Sequence, residues 1–403
     1  MIKKFRLHNF RTFLNTEIEF QQRHLIIGKN NSGKTNLMTA VRFLGATSAT
    51  NLSTAAAWVP GGMYEMRNWQ LQSDTIELGC TCLLEYESQP CEFTYDLSLR
   101  IRPAPAPNQG SPGELSVAHE KLTLKAAGFE SAVLLENDGR EATTLPEEHA
   151  LRAARPAQPV TALAPQDATM FSKLYELPTN RRAIHFRKFL SRWSYYLLNP
   201  ESMRYGWRAA SQTGAALDPH GKQLANVVFH LKNLDELRYR KVIDHTRILE
   251  PELVAINFVP VPDQAAVPFV VLEGQPRASW VGLSDGTLRG LALAYIIETA
   301  NMSLDSAGVP AVSLIEELEN GIHPGQLRAI FDLLEEQSPS GQFILSSHSP
   351  LVIDLFEDHP ECVTILKKSQ QRTQTVPVPV DEVERADPDR LSLAEKYALE
   401  LIE

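Results

Sequence analysis

Between positions 28 and 35 the chain reads Gly28-Lys29-Asn30-Asn31-Ser32-Gly33-Lys34-Thr35, the spacing G-x-x-x-x-G-K-[ST]. Glycines at the two fixed positions let backbone N–H groups turn inward around nucleotide phosphates, and a helix starting just beyond them adds the positive end of its dipole. Lys34 is placed to reach the terminal phosphates as a point charge, and the Thr35 hydroxyl to ligate Mg²⁺. The predicted contacts to ATP are thus Gly28, Asn30, Asn31, Ser32, Gly33, Lys34, Thr35 and Asn36. Far downstream, Glu316 and Glu317 follow the apolar run Val312-Ser313-Leu314-Ile315. Adjacent carboxylates at a strand end can divide the work, the first holding the metal through water and the second polarising the attacking water. Two further motifs flank this pair, Leu283-Ser284-Asp285-Gly286-Thr287 before it and Ser346-Ser347-His348-Ser349-Pro350 after it. Ser284 offers a hydroxyl and a helix N-cap, Gly286 permits close backbone approach, and the helix from Thr287 aims its positive end at phosphate. His348 ends the apolar run Phe343-Ile344-Leu345, where an imidazole can sense the terminal phosphate and the attacking water.

Such groups act together only if the chain brings them to one edge. Ile2, Phe5 and Leu7, then Ile18 and Phe20, alternate with polar residues, and Leu25-Ile26-Ile27 is uniformly apolar. This predicts two or three strands, the last one buried and leading straight into the glycine loop. Met38, Val41, Phe43 and Leu44 then recur at helical spacing. Strand-like alternation returns over residues 74–101, with a turn at Gln89-Pro90, and over 114–136, ending in an Asn137-Asp138-Gly139 turn. Between them the prolines of 103–112 predict an exposed loop, since proline cannot donate to a sheet ladder. A second Ala/Pro-rich stretch, 153–165, precedes two predicted amphipathic helices, 181–198 and 222–245. The C-terminal part alternates: strands at 255–261 and 268–272, a helix at 287–300, a strand at 312–315, a helix at 325–336, then strand 342–346, helix 350–356 and strand 363–366. Ser284 and Glu316 lie 32 residues apart, and Glu317 and His348 lie 31 apart, room for one helix and one strand of a parallel sheet in each case. Lys34 and Ser284 are 250 residues apart, so separate lobes are inserted between them, and no sustained heptad run marks a long coiled coil. The pattern is that of an α/β core interrupted by a long insertion.

The order phosphate loop, LSDGT, IEELENGIHP, SSHSP resembles ABC-type AAA family ATPase heads of the RecF/SMC/OLD-like group, and the opening Leu7-His8-Asn9-Phe10-Arg11 is similar to the way RecF- and SMC-like heads begin. The resemblance implies a P-loop NTPase head with an antiparallel β lobe and an inserted helical lobe, divided as residues 1–165, 166–250 and 251–403. It implies Glu316 and Glu317 at Walker B, with Glu317 as catalytic base, and His348 as switch histidine. Ser284 and Gly286 stand in the signature motif that caps the nucleotide of a second chain, making a homodimer or higher oligomer through ATP. His323 falls where the family's D-loop crosses the dimer interface, or in a plain turn. The family's Q-loop glutamine is matched by Gln166, with Gln70 and Gln72 behind it. OLD-type nucleases continue into a TOPRIM domain, which needs about 100 residues. Only 55 follow His348 here, so no nuclease domain is expected, and Asp381, Glu382, Glu384, Asp387 and Asp389 read as a solvated linker. The implied role is an ATPase in bacterial DNA repair or anti-phage defence that acts on DNA or gates an effector such as a nuclease. The alternative is a nucleotide-gated scaffold that holds an effector inactive with little turnover.

Composition sets the outer bounds. Of 403 residues 43% are apolar and 22% charged, and 39 Lys and Arg face 49 Asp and Glu. A net charge of −10 excludes a uniformly basic nucleic-acid coat but leaves room for a local patch. Residues 173–208 hold eight basic residues against Glu176 and Glu201, interleaved with Trp193, Tyr195, Tyr196, Tyr205 and Trp207, and could contact DNA phosphates and bases. The same pattern also fits an amphipathic helix with a solvated basic face. No apolar run approaches the length of a membrane span and no signal peptide is visible, so a cytoplasmic protein without membrane contacts is expected. Cys80, Cys82 and Cys91 lack a fourth ligand at recognisable spacing and are read as buried strand cysteines.

Overall fold

The computed structural model describes residues 1–71, 73–102, 113–126, 131–147, 160–177, 179–208, 216–261, 266–300, 309–337, 341–369, 372–377 and 392–398. The chain begins with the hairpin β1 (Ile2–Phe10) and β2 (Phe13–Glu19) and the strand β3 (Arg23–Ile27). The hairpin joins β4 (Thr75–Tyr86), β5 (Gln89–Arg102), β6 (Glu114–Ala126), β7 (Ala132–Asn137), β8 (Glu141–Thr144) and β9 (Val160–Leu163) in an antiparallel sheet ordered β2-β1-β4-β5-β6-β7-β8-β9. Alternation in β5 sends Cys91, Phe93, Tyr95, Leu97, Leu99 and Ile101 inward, as a sheet with one buried face requires.

The second sheet carries the site. Strand β10 (Trp193–Tyr196) precedes a small antiparallel sheet of β11 (Leu253–Val259), β12 (Val267–Leu272) and β13 (Gln275–Ser279); β14 (Ala311–Glu316), β15 (Gly341–Ser347), β16 (Val363–Ser369) and β17 (Arg372–Pro377) follow. The order is β10-β14-β15-β3-β16-β17, parallel except for the β16–β17 hairpin. Residues of β14 and β15 are buried almost without interruption, because helices and sheet cover both faces. Ile26, Leu314 and Ile344 face the helix Lys34–Thr47 and the antiparallel sheet. Leu25, Ile27, Ile315, Phe343 and Leu345 face the helices Asp285–Thr299 and Pro324–Gln337. Gln342 of β15 ties this sheet to β1 of the antiparallel one. Its fully buried amide accepts from Ile2 N at 2.7 Å and donates to Ile2 O at 2.9 Å and Gln21 O at 3.0 Å.

Several expectations change. The helix predicted over 181–198 ends at Leu190, and residues 193–196 form β10, because aromatic side chains paired against β14 override the helical period. The predicted helix 222–245 breaks at Asp235, whose side chain caps the second half, Glu236–Thr246. The turn placed at Gln89-Pro90 is made by Glu87-Ser88, both at positive φ. The polar residues on either side of 370–371 pair as the strands β16 and β17. Cys80, Cys82 and Cys91 are buried and unbridged. Residues 103–112, 153–159 and the acids at 381–389 lie outside the described residues. Among the described residues no helix is long and apolar enough to cross a membrane.

Replacing Gln342 with Leu leaves Ile2 N, Ile2 O and Gln21 O buried without their partner. We expect a stability loss of about 2–4 kcal/mol, read as a lowered thermal midpoint; an unchanged midpoint would show that this amide does not join the sheets.

Candidate nucleotide site

The loop after β3 is shaped by what its glycines must avoid. A Cβ at Gly28 would lie 2.4 Å from Ser32 Oγ and 2.5 Å from Leu366 O, and Gly33 sits at φ +111° with Thr373 Oγ1 2.5 Å from where its Cβ would be. Ser32 N closes the loop on Lys29 O at 3.1 Å. Lys29, Asn30, Asn31 and Thr35 are exposed, whereas Ser32 is buried and its hydroxyl has no hydrogen-bond partner among the described residues. Lys34 Nζ bends back onto Gly28 O at 2.5 Å and Lys29 O at 3.2 Å. Burial lowers its pKa, and Glu316, Glu317 and Glu319 pull it back up. Asn36, one turn into the helix, donates to Thr12 Oγ1 at 3.0 Å and accepts from Arg11 Nη1 at 2.8 Å.

Parallel pairing sets the carboxylates beside this loop. Glu316 lies opposite Ser346 and Leu345 opposite Leu25, so β14, β15 and β3 end together. Tyr195 Oη donates to Glu316 Oε2 at 3.0 Å, while Glu316 Oε1 is buried without a hydrogen-bond partner. Burial holds the Glu316 carboxyl above the usual carboxylate range, against the pull of the Thr35 and Tyr195 hydroxyls. Burial and Glu316 in turn push the Tyr195 phenol up, keeping it a neutral donor. Glu317 sits at φ +52°, a strained backbone for a residue with a Cβ, with its N–H bonded to Ser346 O at 3.0 Å and its Oε2 accepting from Asn320 Nδ2. Glu319 Oε1 accepts from Ser347 Oγ at 2.8 Å and His348 N at 3.3 Å and stands 3.6 Å from His348 Nδ1. His348 itself is exposed. A Glu316 carboxyl with one unpartnered buried oxygen and the Thr35 hydroxyl interacting with it, and a glycine cradle holding the buried Ser32 hydroxyl, fit a divalent cation and a polyphosphate.

Ser284 is exposed and caps the helix Asp285–Thr299, accepting from Thr287 N at 3.0 Å. Arg204 clamps this turn from outside, donating to Val281 O, Leu283 O and Asp285 Oδ1, each at 2.6 Å. The same helix leans on the loop after Glu317. A Cβ at Gly286 would lie 2.7 Å from Gly321 O, and Arg289 Nη1 donates to Asn320 O at 2.9 Å.

Two family models match the chain. One, described as "AAA domain, putative AbiEii toxin, Type IV TA system", covers residues 161–354, and the other, "AAA ATPase domain", covers 1–96. No curated protein matches the sequence. Among solved structures, the SMC head bound to the C-winged helix domain of ScpA is 14% identical, with 94% of this chain and 98% of that one covered at a TM-score of 0.55. The chain matches AAA ATPase models over residues 1–96 and 161–354 and has the fold of an SMC head. The SMC head domain from Thermotoga maritima is 13% identical over 94% of this chain and 99% of that one at a TM-score of 0.44. The head with an extended coiled coil, bound to the C-terminal domain of ScpA and derived from Pyrococcus furiosus, is 12% identical over 99% and 98% at 0.45. The fold assignment rests on the first of the three.

Within this head, some residues expected at the site lie elsewhere. Gln166 adjoins Asp167, whose carbonyl accepts from Leu52 N, beyond the far end of the Lys34–Thr47 helix and about 20 Å along it from Lys34. Gln70 is nearer, accepting from Arg372 Nε at 2.9 Å, and Gln72 is outside the described residues. His323 is exposed, and its Nδ1 accepts from Gly325 N in the turn that starts the helix Pro324–Gln337. The basic stretch 173–208 does not form one surface. Arg182 pairs with Glu147, Arg187 with Ser172 O and Leu174 O, Arg192 with Ala300 O and Arg204 with the LSDGT turn, while Trp193 and Tyr196 are core and Tyr195 is at the site. Three residues of the site were not singled out from sequence: Glu319, Thr373 and, as a site residue, Tyr195. A third acid two positions after Glu317 was a signal for the first; the other two come from distant strands and had none.

Thr373 on β17 donates to Ser32 O at 2.9 Å and contacts Thr12 Oγ1 at 2.7 Å, bracing the loop from behind. Thr373→Val should weaken ATP binding by about 3- to 10-fold, as expected for one lost hydrogen bond and an orphaned carbonyl, in a titration at fixed Mg²⁺. Parent-like affinity would mean that the loop holds its shape without β17.

Proposed function

We propose that the head binds ATP with Mg²⁺ on the Gly28–Thr35 loop, hydrolyses it with Glu317 as general base, and pairs with a second copy whose Ser284 and Gly286 cap the nucleotide. The observation that carries this reading is the pair of carboxylates at the end of β14: Glu316 with one buried unpartnered oxygen and the Thr35 hydroxyl interacting with its carboxyl, and Glu317 next to it, turned by a strained backbone and tied to Asn320. Lys34 exchanges the carbonyls of Gly28 and Lys29 for phosphate oxygens, a local move of a flexible side chain. Thr35 and Glu316 would hold the metal, Glu316 through water, and bound Mg²⁺ would neutralise charge on the β- and γ-phosphates. Glu317 takes the proton of the attacking water, and Asn320 fixes the carboxylate that receives it. Glu319 orients His348 toward the same edge by holding its backbone N–H. Base and ribose have room in a cavity of about 270 Å³ beside Asn36, walled by Arg11, Thr12, Asn68 and the exposed Trp69.

An exposed Ser284 at the start of a fifteen-residue helix presents that helix's positive end outward, where a phosphate carried by another molecule can meet it. ATP then acts as the joint between two heads. The setting we infer is control of a partner protein in defence or DNA repair. In support, one matching family is described by a toxin–antitoxin system and a solved SMC head of this fold is bound to ScpA.

Glu317→Gln tests the chemistry, because an amide keeps the shape but cannot accept a proton. Turnover should fall by about 10²- to 10⁴-fold while ATP affinity stays within about twofold, and the trapped ATP complex should sediment as a dimer. Turnover like the parent's would remove Glu317 from the role of base. Background turnover in the parent as well would leave only the nucleotide-gated scaffold.

A further inference from the structure

The metal-side carboxylate has a single phenol donor on it. Tyr195 stands on β10, at the edge of the parallel sheet, opposite Leu314 in the register, and reaches Glu316 Oε2 at 3.0 Å. Its ring is held in turn. The Arg42 guanidinium lies 5.2 Å from the Tyr195 ring centroid and 4.9 Å from that of Trp58, so it is layered between the two aromatic faces. Arg42 belongs to the helix that begins at Lys34, so the brace is built on the same element as the phosphate loop.

A strand-end carboxylate is free to swing about its terminal torsion, and Mg²⁺ demands near-ideal octahedral geometry. Whatever fixes the carboxylate from behind therefore decides how well it serves the ion. In metal sites such outer partners are worth about 10- to 100-fold in affinity. Here the phenol takes Oε2, the buried Oε1 is left without a hydrogen-bond partner, and the Thr35 hydroxyl interacts with the same carboxyl.

We propose that Tyr195 is a positioning residue for the metal carboxylate: its hydroxyl fixes Glu316 so that Oε1 faces the divalent ion, and Arg42 with Trp58 locks the ring that carries it. The inference rests on the reading of Glu316 as a metal-side group. Tyr195→Phe is the sharp probe, since it keeps the ring and the layering on Arg42 and removes only the oxygen. Mn²⁺ binding to the full chain with a non-hydrolysable ATP analogue, followed by electron paramagnetic resonance, reads the metal directly. Nucleotide affinity in EDTA reads the phosphate loop without it.

For Tyr195→Phe we expect Mn²⁺ affinity to fall by about 10-fold, with EDTA nucleotide affinity unchanged. Glu316→Gln should lose more, and the double variant no more than Glu316→Gln alone, because both changes act through one carboxylate. If Tyr195→Phe binds Mn²⁺ like the parent while Glu316→Gln does not, the proposal fails and the metal role of Glu316 stands. If Glu316→Gln also keeps parent affinity, the metal role itself is wrong and the proposal falls with it. Losses that add in the double variant would likewise overturn it. Should Tyr195→Phe not fold, Arg42→Gln leaves the hydroxyl and removes the brace. It should lower Mn²⁺ affinity by a smaller factor, and parent affinity there would contradict the proposal.

Discussion

Leu345 pairs with Ile315 on one side and with Leu25 on the other, and this shared register ends β14, β15 and β3 at one height. Every group of the site is hung from that edge: the glycine loop after Ile27, the carboxylates Glu316 and Glu317, and Ser347 with His348. A slip of one residue in any of the three strands would turn its side chains to the opposite face and move its last residue out of reach. The apolar residues that prevent the slip are those buried on the two faces, Ile26, Leu314 and Ile344 on one and Leu25, Ile315 and Leu345 on the other. Packing on both sides thus fixes where the chemistry can occur.

A second constraint ties the LSDGT turn to the same edge. Arg204 holds the turn from the helix Pro200–Tyr205, and Arg289 and Gly286 rest on the loop Asn320-Gly321. Asn320 is also the residue that bonds the Glu317 carboxylate. The LSDGT turn and the Glu317 carboxylate are therefore joined by direct contacts through Asn320 and Gly321. Gly321, at φ +70°, is needed there because a side chain would strain the loop and press on Arg289.

Much of this was legible in the sequence because local chemistry dictated it. A glycine loop between a buried strand and a helix has few other uses, and two acids closing an apolar run gain their meaning from the LSDGT and SSHSP motifs on either side. What escaped was set by partners far away in the chain. Tyr195 sat within a pattern that reads as helix, and only pairing of β10 with β14 turns it into a strand residue above Glu316. Thr373 lay in a polar stretch that becomes a sheet hairpin only against β3. The arginines of 173–208 resembled a nucleic-acid surface, yet most of them pair with backbone carbonyls and acids of neighbouring elements, which no one-dimensional count of charge reveals.

If one active site is built from two chains, mixing two disabled chains restores it. Lys34→Ala removes the phosphate contact and Ser284→Arg blocks the cap, so each homodimer should be silent. A heterodimer has one site in which the intact Lys34 of the Ser284→Arg chain meets the intact Ser284 of the Lys34→Ala chain. Equal mixing should then restore about a quarter of parent turnover, since half the dimers are mixed and each holds one complete site. A mixture no more active than its two components measured separately would contradict a shared site.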